Sequence, residues 1–166
     1  LYDTSGERAF VDCEPRVAVT REVIEECQEK VIVFVPFTGA LDELAERLSK
    51  DFSVAIINGG VPKHARDEIF RQFTLPTGPR VLVADARTMS HGLDLSSATT
   101  TIWAAPPNSN ETYEQANARI MGPKQKHKTA IVHIEATPLE RRMYQRLKDK
   151  QSLQGLLLDV IQQQEI

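Results

Sequence analysis

The sequence predicts a three-layer α/β domain built on a parallel sheet. Three observations predict it. Val31-Ile32-Val33-Phe34-Val35 is an unbroken run of β-branched and aromatic residues, the pattern of a strand buried on both faces. Four more short apolar runs follow, at 54–57, 81–84, 100–104 and 130–134. Segments with apolar residues at helical spacing alternate with these runs, as in βαβ units.

Each element has a local reason. Residues 16–29 read as a helical, linker-like lead-in. After the strand 31–35, Pro36-Phe37-Thr38-Gly39 makes a turn, and Leu41, Leu44, Ala45 and Leu48 give helix 40–50 one apolar face. Strand Val54–Ile57 is closed by Asn58-Gly59-Gly60. Pro62 suits the first turn of a helix whose apolar face is Ala65, Ile69, Phe70 and Phe73. Thr77-Gly78-Pro79 turns into strand Val81–Ala84, and Pro106-Pro107 ends strand Thr100–Ala104. Helix 110–121, strand 130–134 and a last helix over 138–161, with a break near Gly155, complete the pattern. The division is therefore a lead-in over 1–29, one domain over 30–162, and a frayed polar tail over 163–166.

Composition excludes several classes. The 166 residues, 41% apolar and 26% charged, suit one globular domain. No apolar run approaches the ~18 residues of a membrane span, so no membrane partner is expected. Leu1-Tyr2-Asp3-Thr4-Ser5 is no secretory signal, and a start at Leu1 hints at a piece of a longer protein. Cys13 and Cys27 lack metal-ligand spacing, which argues against a zinc or disulfide scaffold and for a reducing, intracellular setting, cytoplasmic or nuclear. The overall charge of −3 hides an asymmetry: residues 1–30 carry eight acids against four bases, and residues 119–150 carry nine bases against three acids. A basic stretch of that kind suits a polyanion, although a solvated helix face has the same composition.

Ligands of parallel sheets sit outside the carboxyl ends of the strands, so the loops of interest are 36–39, 58–62, 85–99 and 105–110. No G-x-x-x-x-G-K-[ST] phosphate loop, G-x-G-x-x-G or G-x-S-x-G occurs. Asp42-Glu43 falls inside a helix and His64, His91, His127 and His133 are scattered, so no metal site is expected. Alone, the chain is not expected to hydrolyse ATP. The chemistry-bearing residues are Asp85 to Leu95, Pro106-Pro107-Asn108, and Gln115 with Arg119, which share a helix face four residues apart.

In this order the segments resemble the second, C-terminal RecA-like domain of superfamily 2 helicases, with most likeness to Snf-type DNA translocases and phage helicases. Lys30 to Phe37 resembles motif IV; Asn58-Gly59-Gly60, Arg66 and Ile69-Phe70-Arg71-Gln72-Phe73 resemble the segment after it. Arg80 to Leu95, with Gly92-Leu93-Asp94-Leu95, resembles motif V, and Gln115 to Gln125 resembles motif VI. Thr137, Glu140 and Lys150 fit the helix that follows. The resemblance implies the P-loop NTPase fold without the P-loop itself.

It also implies roles. ATP with Mg²⁺ would lie between this domain and an N-terminal RecA-like domain, which would supply the phosphate loop and the magnesium-binding acids. Arg119 would be the arginine finger that stabilises transition-state charge on the γ-phosphate. Gln115 would contact the phosphates or the attacking water, Asp94 would accept from a ribose hydroxyl, and Gly92 and Lys124 would complete the nucleotide contacts. Thr38, Gly59, Gly60, Arg87, Thr88 and Ser90 would hold DNA phosphates, with little base specificity. The family pattern has a second arginine where this chain has Gly122. Arg119 then acts alone, Lys124 substitutes for the missing arginine, or the finger is placed elsewhere.

Plainer readings accompany these. Trp103 is expected in the core rather than as a base-stacking platform, and Thr88 and Ser90 can be loop caps. Lys124 to Lys128 is either a solvated loop or a contact with DNA or a partner domain; Arg141 and Arg142 serve packing or solubility. The rival functions are a non-catalytic module that binds nucleic acid or protein, and an unrelated α/β enzyme using Asp85, Ser90, His91 and Asp94.

Overall fold

A computed structural model describes residues 13–89 and 94–150. The chain runs α1 (Glu14–Glu26), β1 (Lys30–Phe34), α2 (Thr38–Leu48), β2 (Val54–Ile57), α3 (Lys63–Thr74) and β3 (Val81–Ala84). It continues through a 3-10 turn (Ala86–Thr88), β4 (Ala98–Trp103), α4 (Asn110–Ala118) and β5 (Ala130–His133). A helix over 138–150, α5, closes the described part. The five strands form one sheet in the order β2-β3-β1-β4-β5, and every pair is parallel.

The apolar runs divide by parity, as a pleated strand requires. Ile32, Phe34, Leu82, Ala84 and Trp103 point to the face covered by α3, α4 and α5, where they meet Phe70, Phe73, Tyr113, Ala116, Tyr144 and Leu147. Val31, Val33, Val81, Val83 and Ile102 point to the other face, against Val17, Ile24, Leu41, Leu44, Ala45 and Leu48 of α1 and α2. The central strands are thus buried on both sides, which is why they read as continuous apolar runs.

The described part of the lead-in, α1, is packed rather than linker-like. Val17, Thr20 and Ile24 of α1 are buried, and Arg80 donates to the Ile24 carbonyl (2.9 Å) and the Cys27 carbonyl (2.6 Å) at its carboxyl end. Arg16 pairs with Glu140 at 2.8 Å, tying α1 to α5. Glu140 also accepts from the Ala136 and Thr137 N–H groups, while the Thr137 hydroxyl accepts from the Glu140 N–H at 3.2 Å; this reciprocal box starts α5. Cys13 and Cys27 are free thiols. The expected break at Gly155 and the tail 163–166 lie outside the described residues.

The turn at Gly78 has a steric cause. A Cβ there would stand 1.8 Å from the Gln72 carbonyl oxygen and 3.2 Å from that of Leu75. The Gly78 N–H donates to the Leu75 carbonyl at 3.0 Å, so the chain cannot swing away without losing that bond. Gly78→Ala is expected to lower stability by about 1–3 kcal/mol, read as a lower urea midpoint with an unchanged slope.

Candidate functional site

The crossover from β3 to β4 decides where the chemistry lies. Both strands are parallel to β1, which separates them in the sheet. The segment 85–97 must therefore descend from the carboxyl end of β3 to the amino end of β4. Its first residues sit at one edge of the sheet and its last at the opposite edge. The expectation of a single carboxyl-edge site is corrected accordingly: the candidate residues divide between two edges.

The carboxyl edge holds Thr38, Gly59, Gly60, Arg87 and Thr88. Thr38 is the exposed first residue of α2. Gly59 and Gly60 are exposed in the turn after β2, where the Gly60 N–H donates to Asn58 Oδ1 at 3.0 Å and Asn58 Nδ2 donates to Asp42 at 3.0 Å. A Cβ on Gly59 would meet nothing within 4 Å, so packing leaves room there for a ligand backbone to approach. Arg87 bends over the buried Asp85 (2.7 Å), and that carboxylate holds its guanidinium pKa above the usual value. Two-thirds of the Arg87 side chain remains exposed, at 67%. The Thr88 hydroxyl donates to the Asp85 carbonyl at 2.6 Å, so the loop-cap reading describes its proton correctly. Ser90 and Gly92 lie outside the described residues.

Gln115 belongs to this edge as well. It lines a pocket of about 320 Å³ with Arg66, Arg87, Thr88 and Thr112, and its amide donates to Glu111 at 3.0 Å. Arg66 had no assigned role in the sequence. It donates from Nη1 to the Thr88 carbonyl (3.2 Å), and its Nε is buried without a partner. The family resemblance already includes Arg66, but only the packing of α3 against the 3-10 turn brings it to this pocket.

The amino edge holds Asp94, Arg119 and Lys124. Helix α4 was expected to reach 121 but ends at Ala118, so Arg119 is its C-cap, with φ −64° and ψ −31°. The Arg119 carbonyl accepts from the Leu95 N–H at 3.1 Å, joining the end of α4 to the crossover. Arg119 Nε is buried and has no hydrogen-bond partner among the described residues. Asp94 accepts from the Ser96 N–H at 3.0 Å and pairs with Lys124 Nζ at 3.3 Å. Hydrogen bonds from Ser96, then Lys124, hold its carboxyl below the usual range. A Cβ on Gly122 would stand 3.8 Å from Asp94 Oδ1, so position 122 borders this carboxylate.

Gln125 braces the edge. Its Nε2 donates toward the carbonyls of Ala98 (2.8 Å), Ile120 (2.9 Å) and Ser96 (3.2 Å), and its Oε1 accepts from the His127 N–H at 3.0 Å. One carboxamide thus links the crossover to the turn after α4. A glutamine among charged loop residues gave no sequence signal for that role.

Trp103 is fully buried, as expected, and donates from Nε1 to Asn117 Oδ1 at 3.0 Å. Behind it, the Tyr113 hydroxyl bonds His133 Nε2 at 2.8 Å, and the His133 ring stacks on Tyr144 at 4.1 Å. Burial, with Lys148 nearby, lowers the His133 pKa below its usual value of 6.5. The unfolded chain then binds the proton more tightly, so stability is full above about pH 6.5 and falls as pH drops below it. The urea midpoint should decrease between pH 7.5 and pH 5 by more in the wild type than in His133→Phe, measured by circular dichroism.

A five-stranded parallel sheet covered by helices on both faces has the architecture of a RecA-like domain. A family model, the helicase conserved C-terminal domain, matches residues 15–122, and the chain belongs to that family. Helicase-named protein 172L of Invertebrate iridescent virus 6 is 34% identical over 94 residues, covering 55% of this chain and 15% of the relative. The DNA 3'-5' translocase XPB2 of Sulfurisphaera tokodaii is 24% identical over 140 residues, covering 84% of this chain and 30% of the relative. The chain thus spans less than a third of either relative. Among solved structures, the C-terminal part of the Fun30 ATPase domain superposes with a TM-score of 0.73 at 19% identity, over 83% of this chain and 47% of that one. The C-terminal domain of S. cerevisiae Dbp5, bound to Gle1, superposes with a TM-score of 0.69 at 18% identity, over 84% of this chain and 79% of that one. These two likenesses show the fold, a RecA-like parallel α/β domain.

Proposed function

We propose that this chain is the C-terminal motor domain of an ATP-dependent DNA helicase or translocase of superfamily 2, of the Snf-type and phage-related kind. The division of the candidate residues between two edges carries the reading. A motor must hold a nucleotide and a nucleic-acid strand at once, and two edges of one rigid sheet couple the two sites. XPB2, a relative over most of this chain, is named as a DNA translocase, which supports DNA as the track.

The amino edge fits a nucleotide. Arg119 has a buried Nε with no partner among the described residues, Asp94 is ionised and can accept from a hydroxyl, and Lys124 can exchange Asp94 for a phosphate oxygen. ATP with Mg²⁺ would supply the hydrolysable bond. Among the described residues no group of three or more His, Cys, Asp or Glu could hold a metal. In this reading an N-terminal RecA-like partner domain supplies the magnesium-binding acids and the phosphate loop. Arg119 would place positive charge where negative charge grows in the transition state. At the carboxyl edge, Thr38, Gly59, Gly60, Arg87 and Thr88 would hold backbone phosphates, which carry little sequence information. Closure of the two domains on ATP and reopening afterwards would move the strand by a hinge motion.

Gly122, in place of the family's second arginine, favours one second reading, a RecA-like module that binds nucleic acid or protein without catalysis. ATP turnover by the chain joined to its N-terminal partner domain, with and without DNA, separates the two. The motor reading expects turnover stimulated by DNA. DNA binding without stimulated turnover would establish the module instead.

A further inference from the structure

One concavity of the described residues shares only Lys124 with the residues assigned above. It has a volume of about 530 Å³ and lies at the amino edge of the sheet, where Lys124 borders it. The start of β1, the α3–β3 loop and the loop after α4 form its walls. Lys30, Arg80, Lys124, Lys126 and His127 line it, and Glu29 is the only carboxylate among the lining residues.

Two of these cations are fixed in place but not neutralised. Lys30 Nζ donates to the carbonyls of Leu75 (2.6 Å) and Pro79 (3.0 Å) and lies 5.2 Å from the centre of the Phe73 ring. Arg80 donates to the carbonyls of Ile24 and Cys27, with its guanidinium 5.7 Å from the centre of the Phe52 ring. Carbonyl dipoles and ring faces orient a cation; they do not supply a counter-charge. Neither residue forms an ion pair with a carboxylate among the described residues, although Arg16, Arg21, Arg47, Arg71, Arg87 and Arg141 all do. Burial lowers the Lys30 pKa, the sign of a charge held out of water at a cost. Lys126 and His127 add exposed donors at the rim. A walled pocket of this size with uncompensated cations suits a compact multivalent anion.

We propose that this pocket binds a small phosphate-bearing anion, with Lys30 and Arg80 as its fixed positive floor and Lys126 and His127 as its rim. The site is separate from the DNA edge and from Arg119, and it does not depend on the motor reading. Lys124, shared between this pocket and Asp94, gives an occupant a route to the amino edge: an anion that draws Lys124 away would leave Asp94 unpaired.

The test is calorimetric titration of the 166-residue chain with sodium triphosphate at about 150 mM salt. Lys126→Glu, an exposed position, is expected to weaken binding by about tenfold or more. Lys148→Glu makes the same change of net charge on α5, outside the pocket, and is expected to leave the affinity within about twofold. Arg119→Ala is likewise expected to leave it unchanged. Absence of triphosphate binding overturns the proposal. Equal losses in Lys126→Glu and Lys148→Glu overturn it too, since binding would then follow net charge alone. A loss in Arg119→Ala with none in Lys126→Glu also overturns it, because the anion would then sit at the nucleotide edge.

Discussion

If the chain is the proposed motor domain, Arg119→Ala in the chain joined to its N-terminal partner domain is expected to reduce DNA-stimulated ATP turnover by about 10²-fold or more while DNA affinity stays the same. Such a loss corresponds to about 2.7 kcal/mol of transition-state stabilisation. Two structural facts separate the effects. Arg119 caps α4 at the amino edge, whereas Thr38, Gly59, Gly60, Arg87 and Thr88 lie at the carboxyl edge. The Arg119 backbone makes the contact that holds the crossover, through its carbonyl and the Leu95 N–H, so truncating the side chain spares that bond. Steady-state turnover and DNA titration on the same preparation check the expectation. Normal turnover in the variant would make Arg119 structural and direct the search to Lys124. In that case Lys124→Ala should show the loss, because its partner Asp94 occupies the same edge at 3.3 Å.

The largest expected effect on stability comes from Trp103→Ala. The Trp103 ring is fully buried, with centroids 4.8 Å from Phe34 and 5.2 Å from Tyr113. Its Nε1 donates to Asn117 Oδ1 in the interior, and the Trp103 carbonyl accepts from the Tyr144 hydroxyl at 3.0 Å. Removing the indole empties a large volume and leaves the Asn117 carboxamide oxygen without its donor. Losses of about 3–5 kcal/mol are usual for a buried aromatic truncated to alanine, a large share of the 5–15 kcal/mol of a typical domain. Thermal unfolding should fall by about 6–20 °C. Trp103→Phe keeps most of the ring and loses the hydrogen bond, so it should fall between the wild type and Trp103→Ala. If Trp103→Ala melted within about 2 °C of the wild type, the ring would not be the keystone of this face.

The strands were legible because β-branched and aromatic runs in this chain have few other uses. Val31 to Val35 and Val81 to Ala84 are apolar without alternation, and that pattern already specifies a sheet covered on both faces. The motif order made the family legible, since Gly92, Asp94, Gln115 and Arg119 stand at separations a single-domain pattern must keep. The end of α4 was less legible. Ile120 and Met121 continue the apolar spacing, and only the turn that the Leu95 N–H closes on the Arg119 carbonyl shows that the helix stops at Ala118. The packing of α1 was also hidden, because its anchors, Arg80 and Glu140, are 56 and 124 residues away from the residues they hold.

By itself, then, the sequence determined the layer architecture, the family and the list of candidate residues, because each depends on local periodicity or on short motifs. The tertiary structure alone decided how those residues are grouped. The parallel direction of β3 and β4 sends segment 85–97 across the height of the sheet, and long-range packing decides which residues meet it there. That path carries Asp94 away from Thr88, brings it to Lys124, and leaves Lys30 and Arg80 facing a pocket with a single carboxylate.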